Sequence, residues 1–146
     1  MSRSGYHDDL DHWDLIRWRG AVASAIRGQR GQAFLREMLA ALDALPEKRL
    51  IAGAWVVPDG PGIHPDEQGC CAMGAVALRR GLDLSDVEPY DDYDRDQVAK
   101  LLGIADALAA EIAHLNDERG RPRETPAERW TRMRQWVVVK IQELQS

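Results

Sequence analysis

The 146-residue sequence contains only two cysteines, one phenylalanine and no long hydrophobic run. No stretch approaches the roughly 20 apolar residues that a membrane-spanning helix needs. The first nine residues lack the apolar segment of a secretory signal. The two cysteines, Cys70 and Cys71, are adjacent, and a disulfide between neighbouring residues is strained. These absences predict a cytoplasmic protein that makes no contact with a membrane.

The sequence also lacks the usual catalytic and metal-binding motifs. There is no glycine-rich phosphate loop and no serine nucleophile elbow. Zinc sites commonly use two spaced pairs of ligands, whereas the adjacent cysteines have only His64 nearby. Residues 92–96 alternate carboxylates like a calcium loop, but the required Gly and Glu do not follow. The segment around His7 and His12 is interpreted as a solvated arm, with weak binding of a divalent metal as the alternative. The sequence therefore predicts no metal site and no cofactor.

Charge is unevenly distributed along the chain. The net charge is −5, and the segment from Asp83 to Asp96 alone holds seven acidic residues and one arginine. Residues 119–134 hold six arginines against two glutamates. The isoelectric point near 5.3 argues against a general nucleic-acid binder but leaves local arginine contacts open. Such charge blocks are typical of solvated surface. The alternative interpretation is that they form a charged docking surface.

Apolar periodicity predicts a mainly α (α+β) single domain over residues 1–146. It has four substantial helices, one short helix and a small two-stranded β-hairpin inserted after the second helix. Residues 1–10 are predicted to be a flexible arm. The predicted elements are a helix from about Asp11 to Gly28, a second helix ending at Pro46, strands at Arg49–Val57 and Gly69–Met73, a short helix at Ala72–Arg80, a long helix at Asp94–Asn116 and a final helix at Thr125–Leu144.

The final helix has apolar residues on two sides. Trp130, Met133 and Val137 form one stripe, while Trp136 and Val139 lie off it. Either the helix is sandwiched within the core, or one side meets a second copy of the chain in a homodimer.

Short motifs across most of the chain carry a family resemblance. They are Trp55 with Gly69, the run Cys71-Ala72-Met73-Gly74-Ala75, the pair Asn116-Asp117, and the N-terminal stretch Trp18–Arg27. The chain resembles small proteins of unknown function from bacteriophages, prophages and some bacteria. The resemblance implies a phage or mobile-element setting within a bacterial cell, where small proteins often bind a host component, including immune effectors.

The leading hypothesis is therefore a non-enzymatic binding protein that contacts a host or phage macromolecule, most specifically an inhibitor of host defence of the anti-CRISPR kind. The acidic segment offers a docking surface for a basic, nucleic-acid-binding partner. Exposed aromatic residues within it suit a binding hot spot. The predicted partner-binding residues are Tyr90, Asp91, Asp92, Tyr93, Asp94 and Asp96.

Two alternatives belong to other functional classes. In the first, Cys71 at a helix start is the thiol of a small enzyme or redox sensor, with His64 or His114 as its base. The interpretation without a catalytic role is that Cys71 packs between the hairpin and the helix. In the second, the arginine-rich region 119–134 binds nucleic acid. The residues predicted to do so are Arg119, Arg121, Arg123, Arg129 and Arg132.

Overall fold

The computed structural model describes residues 3–4 and 12–143, and this part of the chain is mainly helical with one small antiparallel sheet. The predicted fold class is confirmed. In chain order the elements are α1 (His12–Arg27), α2 (Gln29–Ala44), β1 (Val56–Val57), a 3-10 turn (Pro65–Glu67), β2 (Gly69–Cys70), α3 (Ala72–Arg80), α4 (Asp92–Leu102), α5 (Asp106–Glu118) and α6 (Pro126–Glu143).

Helix α2 packs against α1, α3 and α6. Its buried stripe includes Phe34, Leu35, Met38 and Leu42, which follow the predicted helical spacing. The tight α1–α2 connection depends on Gly31, because a Cβ there would lie 1.9 Å from the carbonyl oxygen of Ala25. The close approach of the two helices therefore requires glycine at this position.

The hairpin is shorter than the sequence predicts. Val56 pairs with Cys70 and Val57 pairs with Gly69, so each strand has two residues. Gly53 has a φ of 77°, which turns the backbone out of the extended conformation before β1 begins. The sheet is too small to be stable alone and packs against the helices through the buried side chain of Trp55.

The single long helix predicted over Asp94–Asn116 is wrong, because the segment forms two helices. Gly103 adopts a left-handed conformation with a φ of 75°, and its N–H bonds the carbonyls of Ala99 and Lys100. Gly103 is thus the C-cap of α4 and not an interior helix residue. Helix α5 then begins at Asp106 and packs against α4.

Arg3 and Ser4, the two described residues of the predicted arm 1–10, are buried. Arg3 is 2% exposed and Ser4 is 3% exposed. A buried arginine needs a paired charge, and Arg3 has one in Asp117, which no local sequence pattern indicated. His7 and its neighbouring acidic residues lie outside the described part of the chain.

The core covers one apolar side of helix α6 and Trp136 of the other side. Met133, Val137 and Ile141 are buried, while Trp130 and Trp136 are half-buried against the same core. The sandwiched arrangement therefore accounts for the two-sided pattern, and the homodimer stays a prediction without that support. Within residues 3–4 and 12–143, none of the helices combines the length and the apolar character required to cross a bilayer.

Candidate functional site

Cys71 joins the hairpin to helix α3. It is the N-cap residue, and its sulfur accepts a hydrogen bond from the backbone N–H of Gly74 at 3.3 Å. Its own N–H donates to the carbonyl of Trp55 at 3.0 Å. The residue is only 1% exposed, so the thiol is enclosed by the surrounding side chains.

Arg3 covers this thiol and forms the centre of a buried polar cluster. Its Nε and Nη2 atoms donate to the two carboxylate oxygens of Asp117 at 2.7 and 2.8 Å. Nη1 lies 3.5 Å from the Cys71 sulfur, and the guanidinium carbon lies 4.3 Å from the ring centre of Trp55. Burial alone lowers the pKa of Arg3, but Cys71 and Asp117 outweigh burial and raise it. The guanidinium is therefore held as a cation.

Asn116 and Asp117, at the end of α5, connect this cluster to the hairpin segment and to the start of α3 by hydrogen bonds. The Asn116 side chain accepts from the N–H of Ala72 at 3.2 Å and donates to the carbonyl of Ile51 at 2.8 Å. One Asp117 oxygen also accepts from the N–H of Gly53 at 3.0 Å and from Asn116 at 2.9 Å. Three of the motifs quoted for the family resemblance, Trp55, Cys71-Ala72 and Asn116-Asp117, thus meet in space, together with Arg3, which sequence reasoning missed.

The ionised state of Asp117 makes stability depend on acid pH. Burial raises the pKa of Asp117, but the hydrogen bond and charge of Arg3 outweigh it, so the pKa lies below its usual value of 3.8. The carboxylate therefore stabilises the fold fully above the unfolded pKa and loses this effect as pH falls through the lowered folded pKa. Lowering the pH from about 5 to about 3 should reduce the free energy of unfolding of wild type more than that of Asp117→Asn. Urea denaturation at each pH measures both decreases. Equal losses would contradict this role of Asp117.

The two histidines considered as a base do not contact Cys71. His64 is exposed and caps the 3-10 turn, where its Nδ1 accepts from the N–H of Asp66 at 3.1 Å. His114 is buried, and its Nδ1 lies 2.7 Å from a carboxylate oxygen of Glu118. Among the described residues, the hydrogen-bonding partners of the Cys71 sulfur are Arg3 and Gly74. The geometry favours a packed and capped thiol over a thiol paired with an imidazole.

Both thiols are therefore expected to react slowly in the native protein. Cys70 is buried, and burial raises its pKa to about 12, so the reactive thiolate is scarce at neutral pH. Cys71 is covered by Arg3. Iodoacetamide labelling followed by mass spectrometry should find both residues protected in buffer and both labelled in denaturant. Rapid native labelling of Cys71 would instead support the thiol-dependent alternative.

The acidic segment forms the start of α4 and the loop before it. Tyr90 and Tyr93 are each 67% exposed. Asp91 and Asp94 form a capping box, in which each side chain accepts a hydrogen bond from the backbone N–H of the other. These two carboxylates have a structural role in the helix, which makes them poor positions for testing partner binding.

Other carboxylates of this segment point into solvent. Asp86, Glu88 and Asp92 are exposed, and within the described part of the chain their side chains form no salt bridge. Asp96 is paired with Lys100 at 2.9 Å. We define the acidic tyrosine surface as the exposed residues Asp86, Glu88, Tyr90, Asp92 and Tyr93. It presents three uncompensated negative charges beside two phenol rings.

The arginine-rich region is largely engaged within the protein. Arg132 pairs with Glu124 at 2.6 Å and donates to the carbonyl of Leu115 at 2.6 Å. Arg129 donates to the carbonyls of Asn116 and Leu50 at 3.1 and 3.0 Å. Of the others, Arg121 bonds Glu128, while Arg119 and Arg123 are exposed. Two of the five arginines predicted to bind nucleic acid thus act as bridges between α5, α6 and the hairpin segment.

Within residues 3–4 and 12–143, no group of three or more His, Cys, Asp or Glu side chains is arranged to hold a metal ion. No protein-family model, curated protein or solved structure matches the chain.

Proposed function

We propose that this protein is a non-enzymatic binding protein that contacts a basic host or phage protein through the acidic tyrosine surface. The observation that carries the proposal is the exposure of Tyr90 and Tyr93, at 67% each, among carboxylates without salt bridges. The phage setting, and its specific form as an inhibitor of host defence, rest on the family resemblance.

The composition of the surface suits a protein interface. Tyrosine supplies a large amphipathic contact area and is enriched at binding hot spots. Uncompensated carboxylates around such rings attract a positively charged partner and accelerate the encounter. Tyr90 directly precedes the capping box at the start of α4, and Tyr93 lies within it. The backbone that presents the two rings is therefore held in place, which lowers the entropic cost of binding.

The same geometry weakens the other two hypotheses. A thiol-dependent enzyme needs an accessible sulfur beside a base, whereas Cys71 is 1% exposed and its sulfur contacts Arg3 and Gly74. A nucleic-acid binder needs arginines directed to solvent. Arg119 and Arg123 meet this condition, whereas Arg129 and Arg132 bond carbonyls and Glu124.

Affinity capture with the tyrosine variant tests the binding function. Purified wild type and Tyr90→Ser/Tyr93→Ser are immobilised and exposed to bacterial lysate, with and without nuclease, and retained proteins are identified by mass spectrometry. We expect a stoichiometric protein that wild type retains after nuclease treatment and that the variant loses. Circular dichroism should show equal folding of both baits. Capture of the same proteins by both baits would overturn the proposal, and loss with nuclease would favour nucleic-acid binding.

Plating of phage tests the host-defence form separately. Expression of the chain in a bacterium with active CRISPR immunity is expected to increase plaque formation by a targeted phage, and the tyrosine variant is expected not to. Unchanged plating with well-expressed wild type would contradict this specific form.

A further inference from the structure

Each group around Arg3 also has a hydrogen-bond partner elsewhere in the chain. The Trp55 indole donates to the carbonyl of Glu88 at 3.2 Å, which orients the ring. Asp117 is held by the N–H of Gly53 and the amide of Asn116. The Cys71 sulfur is held by the N–H of Gly74. Each of the three side chains around the guanidinium is therefore fixed by a further hydrogen bond to another part of the chain, so the pocket is preorganised.

The pocket matches a guanidinium group in three independent ways. Asp117 accepts two parallel hydrogen bonds, a geometry that an ammonium group does not reproduce. The ring of Trp55 stacks against the planar cation at 4.3 Å. The third edge of the guanidinium meets the Cys71 sulfur at 3.5 Å. Together these contacts select for the planar, forked shape of the guanidinium group as well as for its positive charge.

The backbone and the next side chain of the bound segment are also recognised. Arg95 is buried and paired with Asp106, and it donates to the carbonyl oxygens of both Arg3 and Ser4. The hydroxyl of Ser4 donates to Glu118 at 2.8 Å. The fold thus holds a short Arg-Ser segment by its main chain and by both of its side chains.

We propose that this pocket is a binding site for an arginine-containing peptide segment, and that Arg3-Ser4 occupies it in cis. An Arg-Ser segment of another polypeptide takes the same place when residues 3–4 are displaced. The contacts of the pocket use none of the side chains that form the acidic tyrosine surface, so the site extends the proposed binding function without depending on it.

A synthetic peptide of residues 1–10 tests the proposal against wild type, Arg3→Lys and Arg3→Ala. In the wild type the cis arginine competes with the peptide, so we expect the weakest binding there. Arg3→Ala should bind at least about tenfold more tightly than wild type, with Arg3→Lys in between. Isothermal titration calorimetry at matched salt measures the three affinities, and Arg3→Lys remains informative if Arg3→Ala does not fold.

Changes on the peptide separate recognition of arginine from general attraction without altering the protein. Replacing the peptide arginine by lysine keeps the charge but loses the paired hydrogen bonds, and replacing it by citrulline keeps the shape but loses the charge. Each peptide should bind Arg3→Ala at least about tenfold more weakly than the arginine peptide. Equal affinity of the three peptides, or equal binding of the arginine peptide to wild type and both variants, would overturn the proposal.

Discussion

Replacing Gly74 with alanine is expected to destabilise the protein by about 3 kcal/mol or more, because the position has no space for a side chain. A Cβ at Gly74 would lie 2.0 Å from the carbonyl oxygen of Trp55 and 3.1 Å from the Cβ of Cys70. The nearest atoms belong to backbone, which cannot move aside cheaply. Relief of the overlap requires α3 to separate from the hairpin, which would break the bond from Cys71 to Trp55. Chemical denaturation measures the loss.

Gly20 supplies the matched control for this substitution. It also lies within a helix, α1, but an added Cβ there meets nothing within 4 Å. Gly20→Ala should leave stability unchanged or raise it by about 0.5–1 kcal/mol, because alanine favours the helix. If Gly74→Ala behaved like Gly20→Ala, the close contact between α3 and the Trp55 backbone would be refuted.

Replacing Asp117 with alanine is expected to cost about 3–5 kcal/mol, because it leaves a buried cation without its partner. The Arg3 side chain is 1% exposed and bonds both oxygens of Asp117. The same change removes the acceptor for the N–H of Gly53 and for the Asn116 amide. Unfolding of Asp117→Ala and of wild type in urea measures the loss in the free energy of unfolding.

The double variant Arg3→Met/Asp117→Ala distinguishes ion pairing from general damage. Arg3→Met alone leaves Asp117 with two other donors, so it should cost less than Asp117→Ala. The double variant should be more stable than the sum of the two single losses predicts, by about 1–3 kcal/mol. Simple additivity would show that the two side chains do not act as a pair.

Local patterns predicted most of the helices because their signals lie within a few residues. The apolar stripe of α2 repeats at helical spacing, and at the start of α6 the side chains of Thr125 and Glu128 each accept a hydrogen bond from the backbone N–H of the other. The apolar spacing continues across the division between α4 and α5, and a helix tolerates a single interior glycine such as Gly103, so the sequence predicts one long helix there. A glycine followed by the non-helical residue Ile104 is equally typical of a left-handed C-cap, and the bonds to Ala99 and Lys100 decide between the two.

The buried cluster was only half visible in the sequence. The helical spacing of the residues after Cys71 predicts that it lies at a helix start, and in the structure it is the N-cap of α3. Nothing local marked Arg3, which lies 114 residues from Asp117 and looks like one more polar residue near the chain start. A contact at that separation depends on how α5 and the hairpin come together, which no periodicity encodes.

Capture of the partner by two charge-matched triple variants tests the binding function most directly. Asp86→Asn/Glu88→Gln/Asp92→Asn removes three charges from the acidic tyrosine surface and leaves the capping box of Asp91 and Asp94 intact. Asp59→Asn/Asp66→Asn/Glu67→Gln removes three exposed charges of the same types from the loop after β1. We expect the first variant to lose the nuclease-resistant partner and the second to retain it as wild type does. Equal retention by both variants, or equal loss, would contradict a docking role for this surface.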